Sequence, residues 1–192
     1  MEGEAEWEIA TIVFVDIRGF TGFADRATAR EAVAFLNEFF EVVLPVLLAH
    51  GGGASKLLGD GVLSVFGPPA PSHADRALAA SRGVVEAVDA HFGDRCRIGI
   101  GINSGLVLMG TIGGGGLTEL GVIGDPVNVA ARVQDATRDL GEALLLTEAT
   151  RCLLDDPPGD LRPCGTLQVT GRQKPVAVYG ASTRNDFRTA RA

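Results

Sequence analysis

Two aspartates occupy positions that suit a divalent metal ion. Asp16 follows Ile12 to Val15, a short apolar run typical of a strand buried on both faces. Asp60 lies at the centre of Ala54 to Phe66, where an Asp-Gly pair with apolar-rich arms predicts a tight β-hairpin. Mg²⁺ prefers one or two carboxylates together with substrate phosphates. Either aspartate alone could serve only its local turn, but the pair favours a metal site.

A turn rich in potential phosphate donors follows the first aspartate. Gly19, Phe20 and Thr21 precede a predicted helix, where free N–H groups and a glycine suit a phosphate. Many strand-to-helix turns contain glycine, so this pattern is weak by itself.

Asn128 and Arg132 are four residues apart on a later predicted helix and therefore project from one face. An amide beside a guanidinium can hold a ribose oxygen and a developing phosphate charge. The alternative is a surface ion pair between Arg132 and Asp135 or Asp139. Without further context the ion pair is the better interpretation.

The elements that must position these residues follow from hydrophobic periodicity and turn residues. Their order is β-α-β-β-α-β with additional C-terminal α and β elements, which predicts an α+β, ferredoxin-like sandwich. In that plan the first strand lies beside the hairpin, so the two aspartates converge. The predicted elements are a strand over Glu8–Ile17, a helix over Thr28–His50 with a kink or break at Pro45, the hairpin, a helix over His73–Phe92, strands over Arg97–Met109 and Leu120–Ile123, a helix capped by Asp125, a strand over Ala143–Leu146, a helix over Thr147–Leu154, and a final strand pair, Leu167–Val169 with Val176–Tyr179.

Composition narrows the class of protein. With 17 basic and 24 acidic residues the net charge is −7, which argues against nucleic-acid binding but allows an anionic substrate that metal ions neutralise. The 3 cysteines lack CxxC spacing and indicate reduced thiols rather than a disulfide or zinc site. The acidic start lacks a signal-peptide pattern, and no uninterrupted apolar run reaches membrane-spanning length. We expect a cytoplasmic chain that does not contact the membrane.

Four ordered stretches carry a family resemblance. They are FVDIRGFT (Phe14 to Thr21), KLLGDGVLSVFG (Lys56 to Gly67), RIGIGINSG (Arg97 to Gly105) and VIGDPVNVAAR (Val122 to Arg132). Together they resemble the class III adenylyl and guanylyl cyclase catalytic domain, and four motifs in order are far more specific than one. The resemblance implies a catalytic domain over residues 8–180, between tails at 1–7 and 181–192.

The resemblance also implies roles for individual residues. Asp16, Asp60 and the Ile17 carbonyl would bind two divalent ions, Mg²⁺ or Mn²⁺. The triphosphate would lie against Gly19, Phe20, Thr21 and Arg97, while Asn128 would position the ribose and Arg132 would stabilise charge on the transferring phosphorus. Family sites lie at the interface of a head-to-tail dimer, in which one subunit supplies the metal acids and the other the base-recognising lysine and the Asn/Arg helix. Since this chain holds both sets, a homodimer with two sites is expected.

The resemblance is incomplete at the base. Lys56 matches the lysine that donates a hydrogen bond to adenine in adenylyl cyclases, which predicts conversion of ATP to cyclic AMP. Gly121 stands where the family has Asp, Thr or Ser, and Leu120 where it commonly has Tyr. Because Gly121 has no acceptor, guanylate or dual-specificity cyclase activity is the alternative.

The resemblance is also incomplete near the C-terminus. A phosphate-binding lysine of some members is replaced by Thr170, and Arg172 or Lys174 could substitute for it.

Two other functions compete with cyclase activity. A non-catalytic nucleotide-binding or dimerisation domain would lack a metal acid or the Asn/Arg pair, and this chain has all four residues. A diguanylate cyclase would carry Gly-Gly-Asp-Glu-Phe in its hairpin, where this chain has Leu58 to Val62, LGDGV. The sequence therefore favours a nucleotide cyclase.

Overall fold

The computed structural model describes residues 5–68, 70, 72–169, 171–172 and 174–181. The described chain contains eight strands and five α-helices. The strands are β1 (Glu6–Ile17), β2 (Gly53–Leu58), β3 (Gly61–Phe66), β4 (Ile98–Gly114), β5 (Leu117–Ile123), β6 (Leu144–Thr147), β7 (Leu161–Leu167) and β8 (Val176–Ala181). The helices are α1 (Phe20–Ala24), α2 (Ala29–Ala49), α3 (His73–Phe92), α4 (Asp125–Asp139) and α5 (Glu148–Arg151), with a 3-10 turn at Gly93–Arg95.

The strands form one mixed sheet whose centre is the predicted ferredoxin-like plan. Its order is β2-β3-β1-β4-β6-β8-β7, and β5 pairs with β4 off this path. The first four strands, in the order β2-β3-β1-β4, belong to the βαββαβ unit, and β6, β8 and β7 extend it. The predicted α+β class with additional C-terminal elements is confirmed, and β1 lies beside the hairpin as expected.

Helices cover both faces of the sheet. Alternate residues of β1 point to opposite faces because a strand has a side-chain period of two. One set packs under α2 and α3 in the main core, which includes Val13, Val15, Phe39, Val43, Val85, Ile100 and Leu146. The other set packs toward α4 in a smaller core, which includes Ala10, Ile12, Leu63, Val107 and Ala130.

Glycines in β4 let α4 approach the sheet closely. A Cβ added at Gly101 would come within 2.7 Å of the Gln134 Cα and 2.5 Å of the Ala130 carbonyl oxygen. At Gly99 it would lie 3.0 Å from the side-chain nitrogen Nε2 of Gln134. The alternating glycines of RIGIGINSG therefore form a groove for α4, with its backbone against Gly101 and its side chains against Gly99, and this groove fixes the helix that carries Asn128 and Arg132.

The hairpin turn differs from the prediction by one residue. Leu58 pairs with Gly61, so the two turn residues are Gly59 and Asp60 rather than Asp60 and Gly61. Gly59 has φ of 67°, a conformation that favours glycine at the first turn position. Asp60 remains at the tip of the hairpin.

Two helix predictions also need correction. Asp125 is the first residue of α4, and Gly124 occupies the N-cap position, where no side chain makes a capping hydrogen bond. The prediction of Asp125 as N-cap was therefore wrong by one residue. The predicted break at Pro45 does not occur, because α2 runs continuously from Ala29 to Ala49. Pro45 lies on an exposed side of α2, where water can satisfy the carbonyl of Glu41.

One strand of the last pair was placed wrongly along the chain, whereas the other, predicted at Val176–Tyr179, agrees with β8. β8 pairs with Leu161–Leu167, whereas the prediction placed the partner strand at Leu167–Val169. Pro163 and a register shift between Pro163 and Gly165 interrupt the alternation that marks a strand, and an edge strand tolerates both. Smaller differences affect other ends, since β1 begins at Glu6 rather than Glu8 and β4 extends to Gly114.

Helix α2 is the one candidate membrane span among the described residues, by length and composition alone. The core helix of a soluble protein can have the same length and composition. Three residues of α2, Phe39, Val43 and Leu47, are buried in the main core.

Candidate active site

The register between β1 and β3 brings the two predicted metal ligands together. Asp16 pairs with Gly61, which directly follows Asp60. Gly61 leaves room there, because an added Cβ would lie 3.2 Å from Asp16 Oδ1 and 2.8 Å from the Val15 carbonyl oxygen. Both carboxylates are partly buried. The register therefore places two acidic residues next to each other at one end of the central strands.

The electrostatics of Asp16 fit a cation site. The pKa of its carboxyl is raised from 3.8 to about 6, mainly by burial and then by the negative charges of Asp60 and Asp135, against the opposing effect of Arg138 and Arg18. Two neighbouring carboxylates with an incompletely balanced charge are suited to a divalent ion. The described residues contain no group of three or more His, Cys, Asp or Glu that could hold a metal. A metal here would therefore need backbone or substrate oxygens as further ligands.

The turn after Asp16 is rigidly built. Gly19 caps α1 with φ of 71°, a left-handed conformation that favours glycine. Arg18 holds the turn from behind, since its Nε donates to the Ile98 carbonyl at 3.1 Å and its side chain donates to the Glu142 carbonyl at 2.9 Å. The ring of Phe20 stacks on Phe35, with ring centroids 6.4 Å apart, and lines a small cavity together with Arg18, Gly19 and Phe23. Thr21 is exposed.

Asn128 and Arg132 are both exposed on α4. The Arg132 guanidinium pairs with Asp135 at 3.1 Å, which is the surface ion pair that competes with a catalytic role. Among the described residues no hydrogen bond or ion pair links either residue to the Asp16–Asp60 pair. Within one chain, the candidate residues therefore form two groups that share no direct bond, although the charge of Asp135, the partner of Arg132, acts on the Asp16 carboxyl.

Lys56 has a partner that the sequence did not reveal. Its Nζ lies 2.7 Å from Glu119 Oε1 on β5. Gly121 is buried two residues further along β5, and a side chain there would overlap the end of the Ile112 side chain. The sequence offered one signal for Glu119: residues two apart on a strand share a face, so Glu119 is on the same face of β5 as Gly121.

The predicted phosphate-binding cations have local partners. Arg97 is exposed and pairs with Asp94 at 2.7 Å, while its carbonyl accepts from the Arg18 N–H at 2.7 Å beside the Asp16 turn. Arg172 contacts Asp125 at the start of α4 through a charged hydrogen bond. Thr170 lies outside the described residues. Arg172, rather than Lys174, is thus tied to the α4 end of the site.

A buried polar network supports the start of α4 and was not predicted. Asn103 is buried; its Nδ2 donates to the Pro126 carbonyl at 2.9 Å, and its Oδ1 accepts from the Thr147 hydroxyl at 2.7 Å. The network continues from Thr150 to Ser104 at 3.0 Å. Buried polar groups of this kind specify one arrangement of the elements they join. Asn103 therefore positions the first turn of α4, which bears Asn128.

Apolar surface borders both groups of candidate residues. Ile9 and Leu106 face each other across β1 and β4 and are 53% exposed each, and Trp7 nearby is 63% exposed. Leu57 and Leu58 next to the Asp60 turn are also exposed, as is Ile123 just before α4. Exposed apolar patches of this kind are typical of protein interfaces.

Comparisons with known proteins agree with this architecture. The family described as "Adenylate and Guanylate cyclase catalytic domain" matches residues 4–180. An adenylate cyclase of Anabaena cylindrica is 31% identical over 191 residues, covering 92% of this chain and 37% of the relative. The chain thus spans about a third of that relative's length.

Solved structures extend the comparison. The adenylyl cyclase CyaB from P. aeruginosa superposes with a TM-score of 0.83 at 27% identity, covering 96% of this chain and 99% of the other. The guanylyl cyclase Cya2 gives a TM-score of 0.83 at 28% identity, covering 95% of each chain. These two structures, one of an adenylyl and one of a guanylyl cyclase, therefore superpose on this chain equally well.

Proposed function

The chain belongs to the adenylate and guanylate cyclase catalytic domain family, and we propose that it converts ATP to 3′,5′-cyclic AMP and pyrophosphate. In this reaction the ribose 3′-hydroxyl attacks the α-phosphorus in line and pyrophosphate leaves. The observation that supports it best is the pairing of Asp16 with Gly61, which places two carboxylates together at one end of the sheet. The proposal places the domain in the cytoplasm, where its substrate is available.

The residues present fit a divalent metal centre. Asp16 and Asp60 would hold two ions, Mg²⁺ or Mn²⁺, with the Ile17 carbonyl as a further ligand. The fit rests on the raised pKa of Asp16, which reflects a partly buried carboxylate beside a second acid. When bound, such ions lower the pKa of the attacking hydroxyl and neutralise the triphosphate.

The chain's own groups would position the nucleotide. Backbone N–H groups of the rigid turn at Gly19, Phe20 and Thr21 are suited to the β- and γ-phosphates. Arg97 lies beside that turn through its carbonyl contact with Arg18 and would add a positive charge after leaving Asp94. Catalysis would then consist mainly of orientation and charge stabilisation.

Asn128 and Arg132 would act on a nucleotide held by the partner subunit. Asn128 would orient the ribose, and Arg132 would stabilise the charge that develops on the transferring phosphate. A head-to-tail homodimer satisfies this because one chain presents its metal acids to the α4 helix of the other. The exposed apolar residues that border both groups support such an interface. Arg132 would exchange its exposed partner Asp135 for the substrate, at little cost.

Guanylate or dual-specificity cyclase activity is the second candidate. It is favoured by the absence of a side chain at residue 121 and by the similar fold of the guanylyl cyclase Cya2. Lys56 favours ATP, because an ammonium group donates a hydrogen bond to adenine N1 but meets an N–H donor at guanine N1.

The direct test is product identification. Purified protein with Mn²⁺ is supplied with ATP and with GTP in separate reactions, and the cyclic nucleotide and pyrophosphate are quantified. We expect cyclic AMP in excess over cyclic GMP. Asp16→Ala and Asp60→Ala should each abolish turnover while the circular dichroism spectrum is unchanged. Near-normal turnover by either variant at saturating metal would overturn the two-metal proposal, and absence of both products from the unaltered protein would favour a non-catalytic domain.

A further inference from the structure

We propose that Glu119 supplies the hydrogen-bond acceptor that reads the base in this protein, in place of a side chain at residue 121. Glu119 and Lys56 would together recognise the 6-amino group and the ring N1 of adenine. This inference rests on the proposed function, since it takes Lys56 to contact the base.

The pairing of these two residues joins parts of the sheet that are distant in sequence. Lys56 lies on β2 and Glu119 on β5, strands that are not neighbours in the sheet, and Nζ and Oε1 are 2.7 Å apart. The Lys56 side chain is 25% exposed and that of Glu119 is 64% exposed. An ion pair this exposed contributes little to stability. The contact therefore has little structural purpose, yet it holds a donor and an acceptor next to each other.

The neighbouring residues explain why residue 121 does not supply the acceptor. Ile112 lies opposite Glu119 across the β4–β5 ladder, and its side chain occupies the space that a Cβ on Gly121 would need. Glu119 and Gly121 share a face of β5 because they are two residues apart. Ile112 thus excludes a short acceptor side chain at residue 121. The longer side chain of Glu119, two positions earlier on the same face, takes its place.

The hydrogen-bonding chemistry of the pair matches adenine. An ammonium group only donates, and an ionised carboxylate only accepts, with lone pairs left over after one contact. Adenine presents an acceptor, N1, next to a donor, the 6-amino group. With Lys56 at N1, the 6-amino group would donate to Glu119. Guanine in the same position would bring its N1–H donor to Lys56 and its O6 acceptor to Glu119, so both contacts would be repulsive.

The test compares two nucleotides that differ only in the 6-amino group. Purine riboside 5′-triphosphate lacks this group but keeps N1 and the rest of ATP. For the unaltered protein we expect kcat/KM to be about tenfold to a hundredfold higher with ATP, as for one charge-assisted hydrogen bond. In Glu119→Ala the preference should fall to within a few-fold, because kcat/KM for ATP drops while that for the analogue does not. The ratio of ATP to GTP use should fall in parallel.

Matched variants separate recognition from a structural role. Thr118→Ala changes the adjacent residue of β5, on the opposite face, and should leave the preference intact. Glu119→Gln keeps an uncharged acceptor of the same length and should give an intermediate preference. If Glu119 only supported the hairpin, Glu119→Ala would lower kcat/KM for both nucleotides equally, and the proposal would be overturned.

The possible failures are distinguishable. An unaltered protein that cyclises ATP but does not prefer it to the analogue, or a preference that survives in Glu119→Ala, refutes the role of Glu119 alone. An unaltered protein that cyclises none of the three nucleotides refutes the proposed function instead.

Discussion

Replacing Asp16 by asparagine should inactivate the protein and at the same time stabilise its metal-free fold. The pKa of the carboxyl is raised from 3.8 to about 6, mainly because burial disfavours its charged form. A tenfold change in proton affinity is worth about 1.4 kcal/mol, so this rise amounts to about 3 kcal/mol before screening. Because the side chain is partly exposed, solvent reduces the cost to about 1–2 kcal/mol.

The sign of the effect depends on pH. The folded pKa lies above the unfolded value, so the folded state binds the Asp16 proton more tightly, and ionisation costs stability. Above about pH 6 the full cost is present. Below about pH 4 the carboxyl is protonated in both states and the cost disappears. Asparagine is uncharged throughout, so the advantage of Asp16→Asn should shrink as pH falls from 7 to 4.

The measurement is thermal and urea unfolding of chelator-treated protein across this pH range. At pH 7.5 the free energy of unfolding of Asp16→Asn should be higher by about 1–2 kcal/mol, and its Tm by roughly 2–8 °C for a domain of this size. Asp156→Asn, at an exposed loop position, serves as the matched control and should change neither. Adding Mg²⁺ or Mn²⁺ should raise the Tm of the unaltered protein far more than that of the variant.

A destabilised Asp16→Asn protein at pH 7.5 would contradict this reasoning. It would mean that the carboxylate stabilises the turn after β1, as an ordinary capping residue does. An equal rise of Tm with metal in both proteins would separately exclude Asp16 as a ligand.

Three further outcomes are expected. Asp16→Ala and Arg132→Ala chains, each inactive, should regain activity when mixed, because one site per heterodimer is intact; inactive mixtures with proven subunit exchange would exclude a shared site. Asn103→Ala should lower the free energy of unfolding by about 2–4 kcal/mol, since two buried partners lose hydrogen bonds. It should also reduce kcat. Unchanged urea unfolding of this variant would contradict the prediction. Gly121→Asp alone should lower kcat/KM for ATP and GTP because its Cβ overlaps Ile112, and adding Ile112→Ala should restore both rates; full activity of the single variant would refute this.

Much of the fold was predictable because it depends on local patterns. Helix α3 was predicted with its observed ends, and its buried face was predicted because apolar residues recur at helical spacing. The strand-to-turn position of Asp16 and the hairpin position of Asp60 follow equally from short-range signals. Strand β7 was misplaced because Pro163 and a register shift interrupt the alternation of side chains that marks a strand. The strand is stabilised by its pairing with β8, which the local sequence does not report.

The sequence by itself determined the family, the core elements and the candidate ligands, since motif order and periodicity are properties of neighbouring residues. Only the tertiary structure decided which distant side chains meet. Lys56 and Glu119 are on strands that are not adjacent in the sheet, so no sequence spacing reports their contact. Asn103 could not be connected to the start of α4 from the sequence. The physical reason is that such contacts are set by the path of the β4–β5 hairpin and by the glycine groove beneath α4, both of which arise from packing of the whole sheet.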